Sequence, residues 1–120
     1  MKLIIAGSRE LNVRHDELFE ILSDLGIVYK VTEIVCGCAR GIDSDGREFA
    51  KRYKIKVKEF PADWTKYGSL AGHRRNLEMA VYGDALLLIW DGSSRGSANM
   101  KARMQGLKKP IYEVVRKNIE

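Results

Sequence analysis

Arginines set among glycines and small hydroxyl residues are the side chains of this sequence best suited to chemistry, and the chemistry they suit is anion binding. Three clusters carry them: Ala6-Gly7-Ser8-Arg9, Cys36-Gly37-Cys38-Ala39-Arg40-Gly41-Ile42-Asp43 and Trp90-Asp91-Gly92-Ser93-Ser94-Arg95-Gly96-Ser97. Glycine lets backbone N–H groups come close to a phosphate. A guanidinium adds a planar fork of donors that matches phosphate oxygens. Ser8, Ser94 and Ser97 can donate hydroxyls or cap helices, and the two roles are compatible. One cluster alone reads as an ordinary turn. Three together point to a phosphate-bearing ligand.

Around these clusters stand other candidates. Asp43 and Asp91 could accept ribose hydroxyls beside a phosphate, although a plain helix cap is the simpler role for Asp43. With Asp63 they are also the candidate general bases, a task that needs a raised pKa. Arg75 and Asn76 open a further helix; Arg75 suits phosphate, and Arg74 beside it reads as solvated. Trp64 and Tyr67 lie in a long connection, where they could stack on a nucleobase or pack as a lid. Cys36 and Cys38 are too close for ordinary disulfide geometry and make half a metal site at best, and His15 and His73 do not complete one. Free thiols and no metal are expected.

The elements that must position these residues follow from periodicity. Lys2–Ala6 is a short apolar run, as in a buried parallel strand. Leu18, Ile21, Leu22 and Leu25 recur at helical spacing before Gly26. Residues 33–36 form a second strand, and residues 42–53 a helix that buries Phe49, Ala50 and Tyr53. Residues 55–60 fit an edge strand. Residues 74–82 form a helix with Leu77, Ala80 and Val81 inward. Leu-Leu-Leu-Ile within residues 84–90 marks the central strand. A helix over 99–107 sets Met100, Met104 and Leu107 on one face, and residues 110–115 form the last strand. Residues 60–73 show no periodicity and are expected to act as a lid. Alternating strands and helices predict an α/β fold: one Rossmann-like three-layer domain over residues 1–120, with a mostly parallel five-stranded sheet ordered about 3-2-1-4-5. In that order the three clusters open onto one crevice.

Composition narrows the classes. The 120 residues carry a net charge of +5, with 45% hydrophobic and 31% charged residues. That balance fits a soluble globular domain. No run is long enough to span a bilayer, and residues 1–6 do not read as a signal peptide, so a cytoplasmic protein is expected. The positive charge is scattered over helix faces and the C-terminus, without an RNA-binding aromatic signature or zinc-finger spacing.

Five ordered motifs carry a family resemblance: Ile-Ile-Ala-Gly-Ser-Arg (4–9), Gly-x-Ala-Arg-Gly-x-Asp (37–43), Phe-Pro-Ala-Asp-Trp (60–64), Ala-Gly-x-x-Arg-Asn (71–76) and Trp-Asp-Gly-x-Ser-Arg-Gly (90–96). They resemble the small YspA-type, YpsA-related family of the SLOG superfamily, which also holds the cytokinin-activating LOG proteins and DNA-processing protein A. The resemblance spans nearly the whole chain. It implies a Rossmann-like fold and a nucleotide or nucleotide-derived ligand, an ADP-ribose-like molecule among the candidates, held by a sensor or carrier. It also suggests a homo-oligomer. There are departures. Cys38 stands at a usual glycine, His73 at a usual proline and Ser97 at a usual threonine, and the LOG hydrolase signature is absent. Two alternatives follow: a hydrolase of nucleotide N-glycosidic or phosphoribosyl bonds, and a nucleic-acid-binding module.

Overall fold

The computed structural model describes residues 1–117. Five strands form one sheet in the order β3-β2-β1-β4-β5: β1 (Lys2–Gly7), β2 (Glu33–Cys36), β3 (Lys56–Glu59), β4 (Ala85–Trp90) and β5 (Ile111–Val115). Every neighbouring pair is parallel. β1 and β4 run side by side from Leu3 opposite Ala85 to Gly7 opposite Ile89. The Rossmann-like architecture and the expected strand order both hold.

Strand side chains alternate between faces, which divides the core in two. Leu3, Ile5, Ile34, Leu87 and Ile89 face Leu18 and Leu22 of α1 (His15–Asp24) and Ile42, Phe49 and Ala50 of α2 (Ile42–Arg52). Ile4, Ala6, Val35, Leu86 and Leu88 face Met79 and Ala80 of α4 (Ala71–Tyr82) and Met100 and Met104 of α5 (Arg95–Gly106). With helices on both faces, β1 and β4 tolerate apolar residues at every central position, which is why they read as unbroken apolar runs. Each fully buried leucine or isoleucine contributes about 1.5–3 kcal/mol of transfer free energy.

Some expectations need correction. In α4, Leu77 and Val81 point outward, Val81 with 63% of its surface exposed; the inward stripe is Ala71, Asn76, Met79 and Ala80. A polar residue in the buried stripe disguised it, and the apolar i, i+4 pair lay on the wrong side. α4 begins at Ala71 rather than Arg74, and α5 at Arg95 rather than Asn99, immediately after its Ser94 cap. Leu107 and Tyr53 follow their helices and stay partly exposed, though Tyr53 stacks on Phe19 at 5.3 Å. The stretch after Phe60 is not structureless. It holds α3 (Trp64–Tyr67) and a turn of 3-10 helix at Gly68–Leu70. Asp63 caps α3 by accepting the Lys66 N–H at 3.0 Å. Four residues make barely one turn, too few for any periodicity to show.

Candidate functional site

The sheet reverses its winding between β1 and β4, and a crevice of about 460 Å³ opens beyond their C-terminal ends. Gly7, Ser8 and Arg9 line it from the end of β1. Asp91, Ser94, Gly96 and Ser97 line it from the end of β4, and Asp43, Arg75 and Asn76 reach it from α2 and α4. A second recess of about 350 Å³ adjoins it. Arg9, Ala39 and Arg75 border both, while Gly37, Cys38, Arg40, Pro61 and Trp64 border the second alone. Most of the sequence candidates therefore converge. Gly92 and Arg95 are exposed and line neither recess. Asp63 faces a separate hollow beside Lys66, Tyr67 and Arg74.

Two glycines are required by close approach. A Cβ on Gly7 would collide with the carbonyl oxygen of Ile89 on the neighbouring strand. Gly41 has φ of 76°, and a Cβ there would come 2.6 Å from the carbonyl oxygen of Ser8. The first contact sets β1 tightly against β4 and the second presses the first two glycine loops together, so that the amides of Gly7, Gly37 and Ala39 converge. Their acceptor is already present within the chain. Asp43, 5% exposed in the first turn of α2, accepts the Gly37 N–H at 3.2 Å. Burial raises the Asp43 carboxyl above its ordinary value; the Arg75 guanidinium and the amides of Gly37, Gly7 and Ala39 pull the other way. Asp45, one turn-face away, accepts the Val13 N–H at 2.8 Å. The arginine of this loop does not point inward: Arg40 pairs with Glu10 at 2.5 Å, and its side chain is 72% exposed.

Arg75 is the half-buried guanidinium of the site. It donates to the Gly37 carbonyl oxygen, and its Nε donates to Asn76 at 3.0 Å. Burial lowers its pKa, Asp43 opposes that, and Arg9 adds to it as a like charge. Asn76 in turn donates its amide to the Gly96 carbonyl at 3.2 Å and to Asn99 at 3.0 Å. The buried polar residue in α4's inner stripe thus fixes the first turn of α5 against α4. Asn99 lies off the Met100 and Met104 face of α5, and no pattern in the sequence marks it.

The start of α5 is arranged differently. Asp91 accepts the N–H groups of Ser93 and Ser94 at 2.9 and 3.0 Å, which holds its carboxyl below the ordinary carboxylate range. The Ser8 hydroxyl accepts the Asp91 N–H at 3.2 Å and ties this loop to the end of β1. Ser94 caps the helix, accepting the Ser97 N–H at a long 3.5 Å. The first turn carries no acidic residue. Ser97 is only 4% exposed, yet its hydroxyl has no hydrogen-bond partner among the described residues. A Cβ built on Gly96 would meet nothing within 4 Å. First-turn amides lie ahead of any carbonyl of their own helix, so this end presents donors to the crevice.

Cys36 and Cys38 are both free, Cys36 buried and Cys38 exposed at φ of 62°. Burial pushes the Cys36 thiol up to about 12, which leaves it inert. Among the described residues no group of three His, Cys, Asp or Glu side chains could hold a metal ion, and no helix is long and apolar enough to cross a membrane. No protein-family model, curated protein or solved structure matches this chain.

Proposed function

We propose that this protein binds a nucleotide or nucleotide-derived ligand in the crevice between β1 and β4, with the phosphate at the first turn of α5. The observation that carries the proposal is the Ser97 hydroxyl: buried, without a partner, and bordering the crevice at a helix N-terminus free of acidic residues. A buried hydroxyl left unpaired costs about 1–3 kcal/mol, a cost that a bound oxyanion would remove. Arg75 and Arg9 on the facing side supply positive charge. The resemblance of the five motifs to the YspA-type SLOG family supports the same reading, as does the crevice position at the switch in strand order. A small-molecule partner and a cytoplasmic setting belong to the proposal.

Binding is favoured over hydrolysis by the state of the carboxyls. Asp43 accepts a loop amide in a buried position, Asp91 accepts two, and Asp63 caps α3 away from the crevice. Asp91 is held low and Asp63 lies elsewhere, which leaves Asp43, raised and on the crevice, as the one carboxyl for the hydrolase alternative, and its Oδ2 is already taken by the Gly37 amide. A nucleic-acid module would need contacts with several phosphates and hence a steep salt dependence.

Thermal unfolding in the presence of AMP, ADP and ribose 5-phosphate tests the reading. A ligand at 100 times its Kd stabilises the fold by about 2.7 kcal/mol. The expected result is a concentration-dependent rise in melting temperature with at least one of them, cut to about half in Ser97→Ala at the same concentration, where a tenfold weaker Kd leaves about 1.4 kcal/mol. No shift with any of the three, at millimolar concentration, would overturn it.

A further inference from the structure

We infer that the second recess is the seat of a nucleobase, with Trp64 as the stacking surface and the main determinant of base affinity. The inference rests on the phosphate reading above and adds the other end of the ligand. The two recesses share the Arg9, Ala39 and Arg75 wall, so a ligand whose phosphate lies at α5 has its continuation on that side. Trp64 lines the second recess and not the first, and is 53% exposed, unusual for so large an apolar ring. It is nevertheless braced on one side. The ring edge packs on α4 at Gly72, where a Cβ would come within 3.5 Å of it. The backbone beneath is held by the Asp63 cap of α3. A ring braced on one side and open on the other is a stacking platform with little ordering left to do.

The chemistry of the remaining wall suits a planar, polarisable group. Arg9 and Arg40 lie around the recess, and guanidinium planes stack on bases as well as pairing with anions. Pro61 supplies an apolar edge. The exposed Cys38 side chain also borders the recess, at the position where a glycine would leave more room. Among the described residues no carboxyl lines the recess to repel an electron-rich base.

The test compares ligands that share a phosphate and a sugar. Binding of AMP, GMP, CMP and UMP is measured by calorimetry against ribose 5-phosphate in the wild type, Trp64→Ala and Trp64→Phe. Stacking of one base on an aromatic ring predicts that at least one nucleotide binds about 5- to 150-fold tighter than ribose 5-phosphate. That advantage disappears in Trp64→Ala and largely returns in Trp64→Phe, while ribose 5-phosphate binds all three proteins alike. If ribose 5-phosphate binds and no nucleotide binds more tightly, the base seat is wrong and the phosphate site stands. The proposal also falls if Trp64→Ala weakens ribose 5-phosphate as much as it weakens the nucleotide. If none of the five ligands binds the wild type, both readings fall together.

Discussion

Two helices begin at the same edge of the sheet, and their first turns are opposites. α2 follows the loop richest in glycine and arginine, yet its first turn holds Asp43 and Asp45. Asp43 takes up the Gly37 amide, and Arg40 turns outward to Glu10. α5 follows a plainer loop, carries no acid in its first turn, and leaves the Ser97 hydroxyl buried and unpaired. The α2 end carries its carboxyl inside the helix's first turn; at the α5 end the carboxyl, Asp91, is engaged by the loop amides of Ser93 and Ser94 and leaves the first turn without an acid. Glycine-rich loops at strand ends are thus not equivalent. What separates them is whether the chain's own carboxyl stands in the first turn of the helix or stops at the loop before it.

Removing the built-in acceptor should have the largest effect. Asp43→Ala leaves the Gly37 N–H unpaired and the half-buried Arg75 without its balancing carboxyl, at a cost of about 3 kcal/mol. The denaturant midpoint should fall accordingly, and an unchanged midpoint would mean that Asp43 does not organise the loops. The two helix ends should also differ in pH dependence. Because the Asp43 pKa is raised in the fold, the folded chain keeps that proton longer than the unfolded chain. Its share of stability falls as pH rises from the ordinary 3.8 through the raised value. Asp91 is held low, so its share is present above 3.8 and is lost as pH falls through the lowered value. Asp43→Asn should flatten the first limb and Asp91→Asn the second, in unfolding curves taken across acid pH.

The sharpest test gives α5 what α2 has. Gly96 occupies the second position of α5, as Asp43 does of α2, and there is room for a side chain. Gly96→Asp should fold, with a gain of about 0.5–1 kcal/mol from lost glycine flexibility and a favourable helix dipole. It should also weaken ribose 5-phosphate by about 100-fold or more, about 2.7 kcal/mol, because a carboxylate would stand where the phosphate goes. A variant that gains stability and keeps its affinity would show that the anion lies elsewhere.

The sequence made the sheet legible because buried parallel strands are apolar throughout, as in Leu86-Leu87-Leu88-Ile89. It also made the crevice legible, since the strand order alone brings Gly7, Asp43 and Ser97 to one edge. It could not rank the three loops. Asp43 reads as a helix cap, a ribose acceptor or a base, and only the fold shows it accepting the Gly37 amide among converging loops. Asn76 misled in the opposite sense: a polar residue in α4's buried stripe reversed the apparent face of the helix, although its bonds to Gly96 and Asn99 are what hold α5 in place.

Ser97→Ala separates binding from folding more gently. Deleting an unpaired buried hydroxyl should leave stability unchanged or slightly improved, while ribose 5-phosphate affinity drops about tenfold for one lost hydrogen bond to a charged group. Calorimetry and a denaturation curve on the same preparation check both halves. A loss of stability equal to the loss of affinity would mean that the hydroxyl supports the helix rather than the ligand.

Arg40→Ala should do least, and for that reason it probes the comparison from the other side. From its neighbours alone, an arginine between Ala39 and Gly41 at a helix entrance is the chain's most obvious phosphate ligand. In the fold its partner is Glu10, and both side chains are more than two-thirds in solvent, at 72% and 70%. An exposed pair of this kind contributes less than about 1 kcal/mol. Ribose 5-phosphate affinity should change by no more than about threefold, with the melting temperature nearly unmoved. The probe matters: ribose 5-phosphate reports the phosphate end alone, whereas a nucleotide would also sense Arg40 at the rim of the second recess. If Arg40→Ala costs ribose 5-phosphate as much as Ser97→Ala does, the arginine must leave Glu10 and swing inward when the ligand arrives. The α2 loop would then share the phosphate despite its own carboxyl, and the distinction between the two helix ends would fail.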